Sequence, residues 1–357
     1  MVPRIGGQLA SSAMKIAWSE GFGEWLATQD CSLAFTTYQA GKLFLVGQQP
    51  TGQLSVFERS FDRCMGLYAD GSRLYMSTLF QIWRFEEVLK GQVLRGYDAQ
   101  FVPRQSYVTG DLDTHDLVKE QNGRLLFAST AYSCVATVSD TDSFTPVWKP
   151  SFISKLAPED RCHLNGLALR DGKARYATFL AQTDVENGWR PFRDAGGCIV
   201  DLHSNQIVAT SLSMPHSPRW YQEKLWVLNS GIGEFGYINH NDGQFESVMF
   251  CPGYLRGCTF VNHFAIVGLS GPRHNRSFHG LKLNESLSKY QLQSQCGLFI
   301  IDLLRGSIVH WLRIEGVVEE LYDVALLQGV KKPMAIGFKT DEIHKAVQFD
   351  PFTSETF

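Results

Sequence analysis

The chain repeats one unit: an apolar run, a polar turn that often holds Gly, and a second apolar run. Clear copies are "LAFTTYQAGKLFLVG" from Leu33, "MGLYADGSRLYMST" from Met65, "HDLVKEQNGRLLFAST" from His115, "NGLALRDGKARYATF" from Asn165 and "HSPRWYQEKLWVLNS" from His216. "RGCTFVNHFAIVGLS" from Arg256 and "YDVALLQGVKKPMAIGF" from Tyr322 are looser copies. Each reads as a two-stranded hairpin, and further strands follow, such as Gln81–Phe85, Cys198–Asp201 and Leu298–Asp302. A lone hairpin cannot bury its apolar face, so the copies must pack on one another. Their spacing, about 32 to about 66 residues, suits β-propeller blades with insertions.

The expected fold is therefore all-β, a β-propeller. Seven copies predict seven blades, or six if the first and last share one. Residues 31–357 form this single domain in that reading. Residues 1–30 form an N-terminal segment whose "SEGFGEWLATQD" (Ser19–Asp30) is the one helical candidate, read as a cap or closure element. The chain has 357 residues, 44% of them hydrophobic, ample for a large core.

In a propeller the first strand of each blade lines the central channel. The loop from second to third strand returns to the face where that first strand begins. Aligning the copies on Phe35, Leu67, Leu117, Leu167, Pro218, Cys258 and Val324 sets one row two residues earlier: Leu33, Met65, His115, Asn165, His216, Arg256 and Tyr322. Two residues further back stand Asp113, His163, Met214 and Glu320, on the same side of an extended strand. By the same alternation Arg219 should point away from the channel, towards inter-blade contacts. Two long insertions, Leu180–Gly197 and Gly271–Gln295, should reach the same mouth. Long loops in compact domains are usually functional or disordered.

His115, His163 and His216 could together hold a divalent metal (Fe, Zn, Mn or Ca) through imidazole nitrogen, with Asn165 or Glu320 added. The bland alternative is three histidines hydrogen-bonded in a polar channel. Arg256, Arg190 and Arg273 could clamp an anionic substrate, or merely bridge blades. Trp189 could stack on that substrate. Glu320 and Arg256 are the candidate catalytic groups. Cys162 beside His163 suggests a Cys/His pair, but neighbours on a strand face opposite ways. The reading is a metal-dependent enzyme acting on a small anion, by hydrolysis or metal-assisted oxygen chemistry. The alternatives are a propeller that binds a small molecule or peptide without turnover and a scaffold with purely structural channel residues.

Other classes find no support. The net charge is −3 with both signs dispersed, so no nucleic-acid partner is expected. No run of about 18 apolar residues predicts a membrane span, and the N-terminus lacks a signal peptide's apolar core. A cytoplasmic location follows, with the eight cysteines as reduced thiols; none forms a CxxC pair. There is no GxxxxGK[ST], GxSxG or HExxH.

"SLAFTTYQAGKLFLVG", "FERSFDRCMGL", "THDL", "HLNGLAL", "NGWR", "GGCIVD" and above all "MPHSPRW" resemble an uncharacterised bacterial propeller family over roughly residues 20–340. Its members sometimes accompany tetratricopeptide repeats. The resemblance implies a soluble propeller and supplies no catalytic residues. Around Asn165, "NGLALRDGKARYATF" is also similar to gluconolactonase-type propellers, where such an Asn helps hold a divalent cation.

Overall fold

The computed structural model describes residues 3–11, 14–271 and 280–349. Six sheets form the blades. Blade 1 runs outward from Leu67–Asp70 through Arg73–Ser77 and Gln81–Glu87 to Ala99–Val108. Blades 2, 3 and 4 begin with Thr114–Lys119, Leu164–Arg170 and Pro215–Tyr221, each followed outward by three strands. Blade 5 begins with Tyr254–Val261 and gains two outer strands from the N-terminal segment, Met14–Ser19 and Ile5–Ala10. The innermost strands pack in succession around the ring.

Blade 6 corrects the expectation of seven. Its innermost strand is Leu321–Gln328, and Val324 pairs with Phe35 of the adjoining Cys31–Thr37. Phe35 thus lies on a second strand, not a first. The first and last hairpin copies are two parts of one blade, and joining them gives Cys31–Thr37 a paired strand on each side. The end of the last copy cannot fold back, because Cys31–Thr37 occupies that side. Pro333–Ala335 instead runs parallel to Ala99–Phe101 on the outer edge of blade 1.

The helix spans Phe22–Thr28. Phe22, Trp25 and Leu26, spaced i, i+3, i+4, form its apolar stripe. They pack against Val261, Phe264 and Ile266 of blade 5 and Leu33 and Phe35 of blade 6. Burying Phe22 contributes roughly 2 kcal/mol, so Phe22→Ala is the change that should loosen this closure. A second helix, Lys282–Tyr290, lies in the blade 5 insertion and had no forewarning in the repeat pattern.

The blades are sealed to one another by an alternating device. Five of the six innermost strands carry a β-bulge at one level: Thr114/Leu117, Leu164/Gly166, His216/Arg219, Leu255/Cys258 and Leu321/Val324. From blade 1 to blade 6 the residues there read Gly66, Asp116, Gly166, Ser217, Gly257 and Asp323. Asp116 Oδ2 accepts from Leu167 N at 3.0 Å, Ser217 Oγ from Gly257 N at 3.0 Å, and Asp323 Oδ2 from Leu67 N at 2.9 Å. These ties close the 2–3, 4–5 and 6–1 seams. At the other three seams the strands approach too closely for a side chain. A Cβ would lie 3.0 Å from Asp116 Cα at Gly66, 2.3 Å from Pro218 Cδ at Gly166, and 2.6 Å from Val324 N at Gly257. Gly257 also needs its left-handed φ of +77°.

Arg219 crosses the middle of this girdle. Its Nη1 donates to Asp116 Oδ2 at 2.9 Å and Leu167 O at 3.0 Å, its Nε to Cys258 O at 3.1 Å, and its Nη2 to Asp323 Oδ1 at 3.4 Å. From blade 4 it therefore touches blades 2, 3, 5 and 6. The expectation that Arg219 faces away from the channel is corrected. The bulge between His216 and Arg219, with Ser217 at φ 46°, shifts the alternation by one residue and turns both side chains inward.

Candidate functional site

One residue before the girdle on each inner strand stand Met65, His115, Asn165, His216, Arg256 and Tyr322, all between 1% and 7% exposed. In blades 1 to 4 the residue two places earlier is left-handed: Arg63, Asp113, His163 and Met214, with φ of 49°, 50°, 53° and 48°. In two of these blades the carbonyl of that residue meets the histidine that follows. His115 Nδ1 lies 2.8 Å from Asp113 O, and His216 Nδ1 lies 2.9 Å from Met214 O. His163, itself left-handed, places its Nδ1 2.8 Å from Asp160 Oδ2. Carbonyl and carboxylate oxygens only accept, so all three Nδ1 atoms donate. Each ring, when neutral, therefore presents an unprotonated Nε2. Thr130 Oγ1, 2.8 Å from His115 Nδ1, agrees, because its own hydrogen goes to Leu164 O at 2.6 Å.

Ring contacts run unbroken around the mouth. Trp189 lies 4.3 Å from His163 between centroids, His163 4.9 Å from His115, and His115 5.5 Å from Tyr322. The Arg256 guanidinium sits 4.4 Å from the Tyr322 centroid and 5.5 Å from that of Tyr254, which meets His216 at 5.5 Å. Of these, Trp189, His163, His115, Tyr322 and Arg256 line a cavity of about 170 Å³, together with Tyr38, Asp113, Asp160, Arg190, Arg193 and Met214. The first insertion supplies part of its wall, and the second packs against that part: Trp189 clusters with Met214, Tyr254, Leu281 and Leu283.

Arg256 is 5% exposed, and its Nε and Nη1 have no hydrogen-bond partner among the described residues. Burial alone would lower its pKa, but Tyr322, Tyr254 and Glu320 outweigh burial and hold the guanidinium charged. Burial pushes the His216 pKa well below the usual value, and the Arg256 charge adds to this. His216 is therefore neutral, and its buried Nε2 has no partner among the described residues. Asn165 Oδ1 accepts from Thr178 Oγ1 at 2.6 Å, while its buried Nδ2 has no partner among the described residues. Asp160 Oδ2 accepts from Trp189 Nε1 at 2.8 Å as well as from His163, so one carboxylate orients both rings.

The family described as a domain of unknown function (DUF4915) matches residues 20–336. The chain belongs to this family. No curated protein matches it. A chain from the crystal structure of the nidogen/laminin complex is similar at 12% identity and a TM-score of 0.52, over 84% of this chain and 99% of that one. This likeness shows the fold alone. A selenomethionine-substituted virginiamycin B lyase from Staphylococcus aureus aligns at 10% identity and a TM-score of 0.40, over 88% of this chain and 80% of that one. At that similarity it carries no argument here.

In this DUF4915 propeller the predicted residues separate into groups. His115 and His163 meet directly, while His216 stands beside Tyr254 and Arg256. Among the described residues no three His, Cys, Asp or Glu side chains are grouped so as to hold a metal ion. Trp189 and Arg190 line the cavity, and Arg190 lies 4.7 Å over the Trp189 ring. Glu320 is 3% exposed and acts on Arg256 through its charge. Arg273 falls outside the described residues. Cys162 turns into the core between blades 2 and 3, where burial pushes its thiol up to about 12. Sequence reasoning missed Tyr38, Asp160, Arg193 and Tyr254. Tyr38 follows a second strand and was findable once blade 6 was assembled correctly. Asp160 had no signal beyond its place three residues before His163.

Proposed function

We propose that this protein is an enzyme that binds a small anion at the channel mouth and performs acid–base chemistry on it. Arg256 holds the anionic group. His163, oriented by Asp160, is the general base. Water attack on an ester or lactone is a reaction this pair can run. His163 Nε2 takes a proton from water as the hydroxide adds to the carbonyl carbon. The C–O bond then breaks, and the imidazolium returns the proton to the departing alkoxide. Tyr322 and Glu320 support Arg256 from behind.

The observation that carries this reading is Arg256 itself. A guanidinium buried with no salt bridge to it among the described residues is costly, and an anionic ligand would add to the Glu320 charge in offsetting that cost. The second reading is a divalent cation bound by histidine Nε2 atoms. It is favoured by the shared tautomer, because metal-bound imidazoles characteristically anchor their other nitrogen in this way.

The test is a calorimetric screen of small carboxylates, sulfate and phosphate, with metal analysis of untagged protein. Binding lost in Arg256→Gln, with the fold intact, supports the anion site. Loss of turnover but not binding in His163→Asn assigns the base. Turnover absent for every bound ester or lactone leaves a binding module. No anion bound at all defeats the reading, and near-stoichiometric metal lost in His115→Ala and His163→Ala puts the cation in its place.

A further inference from the structure

We infer that the anion this mouth takes is a short dicarboxylate, with one carboxylate on Arg256 and the other on Arg190. The inference rests on the anion reading above and adds the ligand's second end. The cavity lining holds two carboxylates, Asp113 and Asp160, and three guanidiniums, Arg190, Arg193 and Arg256. Both carboxylates are engaged within the chain. Asp160 Oδ2 accepts from His163 Nδ1 and Trp189 Nε1, each at 2.8 Å. Asp113 lies 3.9 Å from the Arg63 guanidinium and 3.7 Å from His115 Nδ1. On the cationic side, neither Arg190 nor Arg256 makes a salt bridge among the described residues. Two such charges beside one small cavity repel each other, and a ligand with a single charge answers only one of them. An ammonium group would meet the same repulsion. The rings it could stack on each hold a guanidinium already: Arg190 at 4.7 Å from the Trp189 centroid, Arg256 at 4.4 Å from Tyr322 and Arg63 at 5.9 Å from Tyr38.

Arg190 is exposed at the rim, yet it is held in place. Its Nε and Nη2 both donate to Asn187 Oδ1, at 3.2 and 3.0 Å. Asn187 N in turn donates to Glu159 O at 2.9 Å, one residue before Asp160. The Nη1 edge of the Arg190 fork makes no hydrogen bond among the described residues, and a carboxylate fits that edge. A fork fixed in advance lowers the ordering cost of the contact. Arg256 is buried and Arg190 is exposed, so the two ends differ in strength and Arg256 dominates. The cavity of about 170 Å³ is small beside the roughly 300–1,000 Å³ of pockets for drug-sized ligands, so a short dicarboxylate is the fitting class.

The experiment is calorimetry on the full chain, in EDTA, at a pH where every ligand carboxylate is ionised. Succinate is set against succinamate and glutarate against glutaramate, pairs that match in size and differ by one charge. Sulfate and inorganic phosphate stand beside them as compact dianions. Each dicarboxylate should bind about fivefold more tightly than its half-amide, as expected for one charged contact at an exposed site. Arg190→Gln should shrink that ratio towards one while the half-amide binds as before. Arg256→Gln should weaken both members. Added salt should lower the ratio as well, because Arg190 is exposed. Circular dichroism checks that each variant is folded. Arg190→Lys, which keeps the charge and loses the fork, gives a second reading if Arg190→Gln is not folded, and its ratio should fall between the two. Equal binding within each pair overturns the second end and leaves the anion site standing. So does a ratio that survives Arg190→Gln in the folded protein, or a compact dianion that binds more tightly than both dicarboxylates. No binding of any anion defeats both readings. A preference that needs added metal and vanishes in EDTA also overturns the inference, because a cation would then hold the second carboxylate.

Discussion

The mouth and the girdle beneath it are one residue apart on the same strands, yet they treat buried polarity in opposite ways. In the girdle, Asp116, Asp323 and Arg219 are buried together, with their charges and N–H groups answered across the ring. In the mouth, Arg256, His216 and Asn165 are as deeply buried and keep atoms without partners. Equal burial therefore does not mean equal purpose. Satisfied groups hold blades together, and the unsatisfied ones mark where the proposed anion would bind.

The comparison is broken most directly by exchanging its two arginines for methionine. Arg219→Met leaves two buried carboxylates without their counter-charge and should cost about 3–5 kcal/mol in urea unfolding. Arg256→Met should cost less, at most about 2 kcal/mol, because Arg256 makes no salt bridge among the described residues and takes from Glu320 only its charge attraction. Equal losses would show that the mouth is merely structural. Next in size, Gly257→Ala meets both the seam and a positive φ and should cost roughly 2–3 kcal/mol. Gly71→Ala, where nothing stands within 4 Å and φ is +56°, should cost only about 1 kcal/mol.

The pH dependence of stability separates the two layers further. Burial pushes the Asp323 carboxyl up to about 7 despite Arg219, with Asp116 adding to the rise, so the folded protein keeps a proton that the unfolded chain releases near 3.8. That contribution is full below about 3.8 and is lost as pH rises through about 7. His216 acts in reverse. Its folded value is lowered, so its contribution is full above about 6.5 and is lost as pH falls below it. Each slope is at most about 1.4 kcal/mol per pH unit. Asp323→Asn should abolish the first dependence and His216→Phe the second, read from denaturation midpoints between pH 4 and 8. The smallest effect concerns the eight free, buried cysteines. None should react with a thiol reagent in the native state, and all should react once the chain is unfolded.

Much of this was legible in the chain. The hairpin repeat named the propeller, because strands that alternate apolar residues at a fixed spacing have few ways to bury them. The same alignment placed His115, Asn165, His216, Arg256 and Tyr322 in one row, and the inner strands hold them at one level. The blade count went astray at the two ends. A hairpin looks the same in sequence whether it pairs with its neighbour or with a strand some 290 residues away. Arg219 went astray for a local reason: a bulge adds one residue to one strand, and nothing in "HSPRWY" marks its position.

Sequence alone thus determined the architecture and the ring positions, because both follow from hydrophobic periodicity, which is local and repeated. Tertiary structure decided which rings touch, which nitrogen of each histidine carries the proton, and which arginine is neutralised. Those depend on contacts made across loops and between blades: Asp160 with His163 and Trp189, Asp116 and Asp323 with Arg219. Such contacts are set by bulges and chain closure, whose cost and benefit are spread over residues far apart in the chain.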